Sequence, residues 1–248
     1  MRIGVLAPMP SELRPVVKRL GLRRASSGAV GRMAHEGRVG DVSVVAAMTG
    51  MGPESAAGAT RRMLDGVGEG NGDGNGVDHV LVVGIAGGIG AGQSIGEVVP
   101  VAVVIDDRTG AEYRPHPLGD GAGPAPGGAA LHTSPEFIAD AERLAALRAR
   151  GVVALDMETA GVAAVCEERG VPWSVFRTIS DRASDGLADE AVFGLAHPDG
   201  SPNLRAVARF VFRHPARIPH LVRLGRDMAV ATKSAAAAAA TAIERAAS

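Results

Sequence analysis

The feature that most constrains the fold is a set of short runs that are apolar at almost every position. They are "RIGVLA" (residues 2–7), "VLVVGIA" (80–86), "VAVVI" (101–105), "VVAL" (152–155) and "VPWSV" (171–175). Such runs are typical of strands buried on both faces, and helical patterns such as "METAGVAAVCEERG" separate them. The sequence therefore predicts a single-domain α/β fold, with a mixed, mostly parallel sheet covered by helices on both faces.

Length and composition favour one domain. The chain has 248 residues, 46% of them hydrophobic, which is enough for one sizeable core and too short for two comfortable ones. We expect residues 1–234 to form the domain and the Ala-rich residues 235–248 to form a helical tail that frays. The Gly-rich residues 66–76 are predicted to be a surface loop. The Pro/Gly-rich residues 108–133 are predicted to be an irregular excursion or lid.

Charge and cysteine content exclude several classes of protein. The formal net charge is −1, so no overall field indicates a nucleic-acid partner. The one cysteine, Cys166, rules out an internal disulfide framework and a multi-cysteine zinc cage. The amino terminus lacks a signal-peptide pattern, and no uncharged apolar run reaches the roughly 18 residues of a membrane span. A cytoplasmic protein without a metal or cofactor is expected.

Residues capable of chemistry follow several of the predicted strands. Ligands of such sheets bind at the carboxyl ends of the strands, so these residues are expected to converge. The segments concerned are Met9–Glu12, Thr49–Gly52, Gly84–Gly90, Asp156–Glu158 and Arg177–Asp181.

Arg177 is the most informative of these residues. It lies inside an apolar strand and must find a carboxylate or a polar site, because a buried unpaired charge costs several kcal/mol. The three candidate carboxylates each have an ordinary structural interpretation as well. Glu12 and Glu158 lie where a helix begins, and Asp181 lies where a turn or helix cap is expected.

The glycine-rich segment "GIAGGIGAG" (residues 84–92) does not predict dinucleotide binding. The spacing Gly-x-Gly-x-x-Gly is not met, and a strand rather than a helix follows. Two interpretations stay open: a tight turn that needs glycine, or a place where the backbone approaches a flat ligand.

The sequence resembles the nucleoside phosphorylase and nucleosidase superfamily, in particular the 5′-methylthioadenosine/S-adenosylhomocysteine nucleosidases. The similar stretches span residues 1 to about 185, and "DMET" and "RTISD" are the most specific of them. The similar stretches are "RIGVLAPMPSE", "MTGMGPESAAGAT", "VLVVGIAGGIGAGQSIGEVV", "SPEFI", "VALDMETAGVAAVCEERGVPW" and "FRTISD". The carboxyl third of the sequence is more similar to phosphorylase-family proteins associated with hopanoid biosynthesis.

The resemblance implies an N-glycosidase that releases adenine from a 5′-substituted adenosine. It implies that Asp181 protonates the purine, that Glu12 activates the attacking water and that Arg177 holds Glu12 or the water. It implies that Glu158 binds the ribose hydroxyls. The other substrate-binding residues that it implies are Met157 beside the sugar, Phe137 and Ile138 at the base, Gly87 and Gly88 along the ligand, and Met9, Met51 and Ser180.

Water is favoured over phosphate as the nucleophile. Phosphorolysis needs a cationic cradle, and "APMPSE" and "GIAGGIG" contain neither arginine nor lysine. The alternatives are removal of adenine from an adenosyl-lipid, by water or by phosphate, and a non-catalytic nucleoside-binding protein of the same fold. The 5′ group stays open because residues 108–133 do not align with the family.

Two expectations concern partners. The resemblance implies a homo-oligomer, often a homodimer, with a small purine nucleoside as ligand. Arg205, Arg209 and Arg213 recur at helical spacing, which favours a solvated face of a packed helix over a basic amphipathic helix resting on a membrane.

Overall fold

The computed structural model describes residues 1–25, 34–66, 76–118, 128–185 and 203–248. Ten strands in these ranges form one sheet, of which nine follow the order β2-β3-β4-β1-β5-β9-β8-β6-β7 while β10 pairs with β5. The strands are β1 (Arg2–Ala7), β2 (Arg23–Arg24), β3 (His35–Val39), β4 (Val42–Met48), β5 (His79–Gly88), β6 (Val101–Asp106), β7 (Glu112–Tyr113), β8 (Ala129–Thr133), β9 (Val152–Asp156) and β10 (Trp173–Arg182).

The helices described are α1 (Pro10–Arg19), α2 (Pro53–Gly66), α3 (Ala141–Ala149), α4 (Thr159–Arg169), α5 (Leu204–Arg213) and α6 (Ile218–Ala246). Short 3₁₀ turns cover Ala183–Asp185 and Pro215–Arg217. None of the helices in the described ranges combines the length and the hydropathy that crossing a membrane requires.

The centre of the sheet is parallel, as the apolar runs predict. β1 pairs in parallel with β4 and β5, and β10 pairs in parallel with the other side of β5. Antiparallel pairing joins β3 to β4 across a turn in which Gly40 has φ +54°, and it joins β9 to the last two residues of β5. The mixed α/β fold is confirmed.

Helices cover both faces of the sheet, and each face has its own hydrophobic core. On one face α2 and α4 bury Met63 and Cys166 against the strands. On the other face α1 and α6 bury Val16 and Ile243 against β1, β4 and β5. The central strands are therefore enclosed, and their carboxyl ends form the edge at which polar side chains collect.

The prediction for residues 108–133 is wrong in part. Glu112–Tyr113 and Ala129–Thr133 are strands, and the second is buried between β6 and β9. Residues 119–127 of this segment lie outside the described residues.

Asp140 caps α3, the helix that follows β8. Its side chain accepts a hydrogen bond of 2.7 Å from the Arg143 backbone NH.

The Ala-rich end is helical and contributes to a hydrophobic core. α6 continues to Ala246, and Ala235, Ala239 and Ile243 are buried in the core shared with α1. Small side chains allow this helix to lie close to the sheet, which is why a run of alanines packs here. Most of the Gly-rich segment 66–76 lies outside the described residues.

Candidate active site

Arg177 is the centre of a buried ionic cluster. Its guanidinium is fully buried and faces three carboxylates that are themselves buried. Nη2 lies 2.7 Å from Asp156 Oδ2 and 3.0 Å from Glu158 Oε2, and Nη1 lies 3.6 Å from Glu12 Oε1. The prediction that an arginine inside an apolar strand must find carboxylates is confirmed.

The remaining donors of Arg177 fix its orientation. Nη1 donates to the Ile85 carbonyl oxygen at 3.2 Å, and Nε donates to Thr159 Oγ1 at 3.2 Å. The side chain is therefore bound by β5 on one side and by the first turn of α4 on the other. Because each nitrogen of the guanidinium has a partner within the protein, its orientation is fixed without a ligand.

Glu12 has two roles at once. Its Oε2 accepts a hydrogen bond of 2.9 Å from the Met9 backbone NH, which caps the amino end of α1. Its Oε1 accepts a hydrogen bond of 2.9 Å from the Ile85 backbone NH. The helix-cap interpretation of this residue is therefore confirmed, and the cap holds the carboxylate beside Arg177.

Gly84 leaves the space in which Glu12 and Arg177 meet. A Cβ at position 84 would overlap Glu12 Oε1 and Arg177 Nη1. The first glycine of the "GIAGG" segment is therefore required by a close approach of the protein's own charged groups.

Glu158 and Asp156 complete the cluster from β9 and the start of α4. Glu158 Oε1 accepts a hydrogen bond of 3.1 Å from the Gly52 backbone NH. Asp156 accepts hydrogen bonds from Thr133 Oγ1 at 2.6 Å, from the Thr159 backbone NH at 3.1 Å and from the Thr159 hydroxyl. Asp156 is the nearest carboxylate to Arg177. It belongs to a segment that was expected to converge at this edge of the sheet, but neither the residue pattern nor the resemblance gave it a role.

Burial changes the acidity of two of these carboxyls. Three ionised carboxylates would place three negative charges around the single positive charge of Arg177, so full ionisation is unfavourable. Desolvation raises the pKa of Glu12 to about 8, although the Arg177 charge opposes this increase. Desolvation likewise raises the pKa of Glu158 to about 7 against the same opposing charge. Both groups can therefore take up or release a proton near neutral pH.

The raised pKa of Glu12 predicts that stability falls with rising pH. An unfolded chain ionises this residue above pH 4.5, whereas the folded protein keeps it protonated up to about pH 8. The free energy of unfolding should therefore decrease across this interval. Glu12→Gln is expected to make that decrease shallower by up to about 1.4 kcal/mol per pH unit. Urea unfolding of both proteins between about pH 5 and pH 8 measures the two slopes.

The control for this experiment is Glu142→Gln, which changes an exposed carboxylate on α3. Its slope should match that of the unchanged protein. Glutamine has one acceptor oxygen where glutamate has two, so one of the two backbone NH groups bound by residue 12 loses its partner. A uniform loss of stability is therefore expected besides the change in slope. If the slope of Glu12→Gln equals that of the unchanged protein, Glu12 of the folded unchanged protein must be ionised throughout the interval.

Asp181 lies four residues beyond Arg177 on the same strand, and a bulge separates the two. Arg177 pairs with Gly84, but the register shifts between Ile179 and Asp181, so that Asp181 lies opposite Gly87. At about 3.3 Å per residue the two backbone positions are up to roughly 13 Å apart. A bulge re-aims the side chain that follows it, and bulges often occur beside active sites.

The surroundings of Asp181 differ from those of the ionic cluster. Its Oδ1 accepts a hydrogen bond of 2.5 Å from Ser180 Oγ. Among the described residues, no hydrogen bond or ion pair joins it to Glu12, Glu158 or Arg177. Burial raises the pKa of Asp181, the Ser180 hydrogen bond opposes this, and the charges of Asp185 and Asp227 add to the increase. This carboxyl therefore keeps its proton to a higher pH than an exposed aspartic acid does.

The structure also locates the other sequence-predicted residues. The residues that flank the ionic cluster or Asp181 lie at, or just beyond, the carboxyl ends of β1, β4, β5, β9 and β10. They are Met9, Met51, Gly87, Gly88, Met157 and Ser180. Phe137 and Ile138 lie on the segment between β8 and α3. The Ile138 side chain is buried in a small core with Ile89 and Leu144, so only its backbone is left for contact with a ligand.

Comparison with known proteins identifies the family of the chain. The model of the phosphorylase superfamily matches residues 2–143 and 128–213. A 5′-methylthioadenosine/S-adenosylhomocysteine nucleosidase of Actinobacillus succinogenes is 29% identical over 215 residues, which are 76% of this chain and 88% of that protein.

Solved structures share the fold across nearly the whole chain. The futalosine hydrolase of Helicobacter pylori aligns with a TM-score of 0.71 and 17% identity, covering 99% of this chain and 98% of that one. The 5′-methylthioadenosine/S-adenosylhomocysteine nucleosidase of Helicobacter pylori, solved with butyl-thio-DADMe-Immucillin-A, aligns with a TM-score of 0.70, 17% identity and the same coverage.

The chain belongs to the phosphorylase superfamily. Its curated relatives are nucleosidases of similar length, and the chain is accordingly an enzyme of the N-glycosidase type.

Proposed function

We propose that the protein is a purine nucleosidase that hydrolyses the N-glycosidic bond of a 5′-substituted adenosine and releases adenine. One observation carries the proposal. Glu12, oriented by two backbone NH groups and Arg177, lies at the same edge of the sheet as Asp181, a carboxyl whose pKa burial raises. Cleavage toward an oxocarbenium-like sugar needs such a division between a base for water and an acid for the leaving group.

The assigned roles follow the chemistry of each group. Asp181 gives its proton to the departing purine, which would otherwise leave with unneutralised charge. Glu12 orients and deprotonates the attacking water, and Arg177 keeps Glu12 in place. Glu158, with Oε1 on the Gly52 backbone NH, accepts hydrogen bonds from the ribose hydroxyls. Met157, Met9 and Met51 lie along the sugar and its 5′ group, and Phe137 stacks on the base.

The state of Arg177 supports water rather than phosphate as the nucleophile. Phosphorolysis needs a cation that is free to bind the anion. Arg177 is buried and already faces Glu12, Asp156 and Glu158 at 2.7 to 3.6 Å. A phosphate at this place would meet three carboxyl groups and a cation that they neutralise.

The test is an assay of release of the purine base with and without inorganic phosphate. The substrates are methylthioadenosine, S-adenosylhomocysteine, futalosine and an adenosyl-lipid. We expect release of the base without phosphate, with the free 5-substituted ribose rather than its 1-phosphate as the sugar product. Release that depends on phosphate would overturn the hydrolytic assignment, and no release from any of the four would overturn the proposed substrate class.

A further inference from the structure

None of the described side chains of residues 204–226 is buried, and we call this segment the arginine hairpin. It consists of α5, the 3₁₀ turn Pro215–Arg217 and the first two turns of α6. Within the described residues, the main packing partner of α5 is that 3₁₀ turn. None of residues 218–230 in α6 is buried, and burial along this helix begins at Ala231.

The arginine hairpin is strongly basic. It contains six arginines and no aspartate or glutamate, in a chain whose formal net charge is −1. Arg223 is partly neutralised, because it pairs with Asp185 at 3.4 Å and with Asp227 at 3.6 Å. Arg205, Arg209 and Arg213 are exposed at successive turns of α5. They form a row of positive charge along one helix.

Apolar side chains are exposed among these charges. Phe212 is 88% exposed, Val222 is 48% exposed and Ile218 is 40% exposed. Leaving large apolar side chains in water forgoes the favourable free energy of burying them. A helix that combines such residues with arginines is typical of a segment that lies in the interface of a bilayer, where apolar groups enter the acyl region and arginines meet anionic headgroups.

The charge of the arginine hairpin decides between the candidate partners. A second copy bound symmetrically would bring two identical basic surfaces together, which is electrostatically unfavourable. A nucleic acid would satisfy the arginines and leave Ile218 and Val222 in water. An anionic phospholipid surface satisfies both the cations and the apolar side chains.

We propose that the arginine hairpin docks the protein on anionic phospholipid membranes, with α5 lying in the plane of the interface. Phe212 enters the acyl boundary, and Arg205, Arg209 and Arg213 contact the headgroups. This inference does not depend on the proposed function, because none of these residues belongs to the site around Arg177.

The test is co-sedimentation with phosphatidylcholine vesicles that contain or lack phosphatidylglycerol. Binding is expected only to the anionic vesicles, and it should weaken when salt is raised to about 0.5 M, since screening is then strong. Replacing Arg205, Arg209 and Arg213 with glutamine should reduce the affinity about 100-fold, at roughly 1 kcal/mol for each cation. Phe212→Ser should reduce it about 10-fold.

A matched control removes the same charge elsewhere. Arg14, Lys18 and Arg19 are exposed on α1, and their replacement with glutamine should leave vesicle binding within about threefold of the unchanged protein. The hairpin variants should keep the melting temperature and the turnover of a soluble nucleoside, which separates this inference from the proposed function.

Several outcomes would overturn the proposal. They are absence of vesicle binding, equal binding to neutral and anionic vesicles, and an equal loss in the α1 control. Two others would reassign the surface. A fall in oligomer mass in the hairpin variants, measured by light scattering, would make it a contact between copies, and displacement of vesicles by a competing RNA would make it a nucleic-acid site.

Discussion

Replacing Asp181 with asparagine is expected to lower kcat about 1000-fold while leaving the fold and the binding of the nucleoside intact. Asparagine has nearly the same shape as protonated aspartic acid but has no acidic proton to give to the leaving purine. The Ser180 hydroxyl can still donate to the amide oxygen, so the local hydrogen bond of 2.5 Å has a substitute. Stopped assays of adenine release measure the loss.

The matched control for this prediction is Asp185→Asn. Asp185 raises the pKa of Asp181 through its charge and is bound by Arg182 and Arg223, but it has no assigned contact with the substrate. Its replacement should change kcat less than about 10-fold. Calorimetric titration with the substrate should show similar affinity for the Asp181→Asn variant and the unchanged protein. Turnover within 10-fold of normal in Asp181→Asn would mean that another group protonates the base.

Replacing Arg177 with methionine is expected to lower the free energy of unfolding by about 3–5 kcal/mol at pH 8, because it leaves buried carboxylates without their cation. Methionine fills much of the volume, so the lost charge rather than a cavity dominates. The loss should be smaller at pH 5, since Glu12 and Glu158 then carry protons in the folded state and need no cation. Denaturant unfolding at the two pH values measures both quantities.

The surface pair of Arg61 and Glu168 provides the comparison. These side chains lie 3.4 Å apart and are about half exposed, so Arg61→Met should cost at most about 1 kcal/mol at either pH. Adenine release should be lost in Arg177→Met and kept in Arg61→Met. An equal loss of stability at pH 5 and pH 8 in Arg177→Met would show that Arg177 stabilises the fold by packing and not by charge.

The central strands and the burial of Arg177 were predictable from local sequence. An apolar run indicates a buried strand from its local composition alone. A charged residue inside such a run requires a partner whatever the order of the strands in the sheet. The strand at Ala129–Thr133 was missed because it has only five residues and follows a Pro/Gly-rich stretch. Its burial comes from β6 and β9, which are distant in sequence.

The internal geometry of the site was not predictable. Asp156 emerged as the nearest partner of Arg177 only from the placement of β9 and α4 together with β10. The bulge before Asp181 is likewise absent from the residue pattern, because alternation along β10 gives no sign that Ser180 is the extra residue. Asp140 and Ser134 are both good helix caps, and the chain uses the first as a cap while Ser134 Oγ accepts from the Glu136 backbone NH.

The length of α6 links the surface of the molecule to its interior. Its 29 residues form a rod of about 43 Å, and the Ala231 carbonyl within it accepts a hydrogen bond of 2.7 Å from Thr178 Oγ1. Thr178 is the neighbour of Arg177 in β10. A displacement of the outer half of this helix would therefore act on the strand that carries both Arg177 and Asp181.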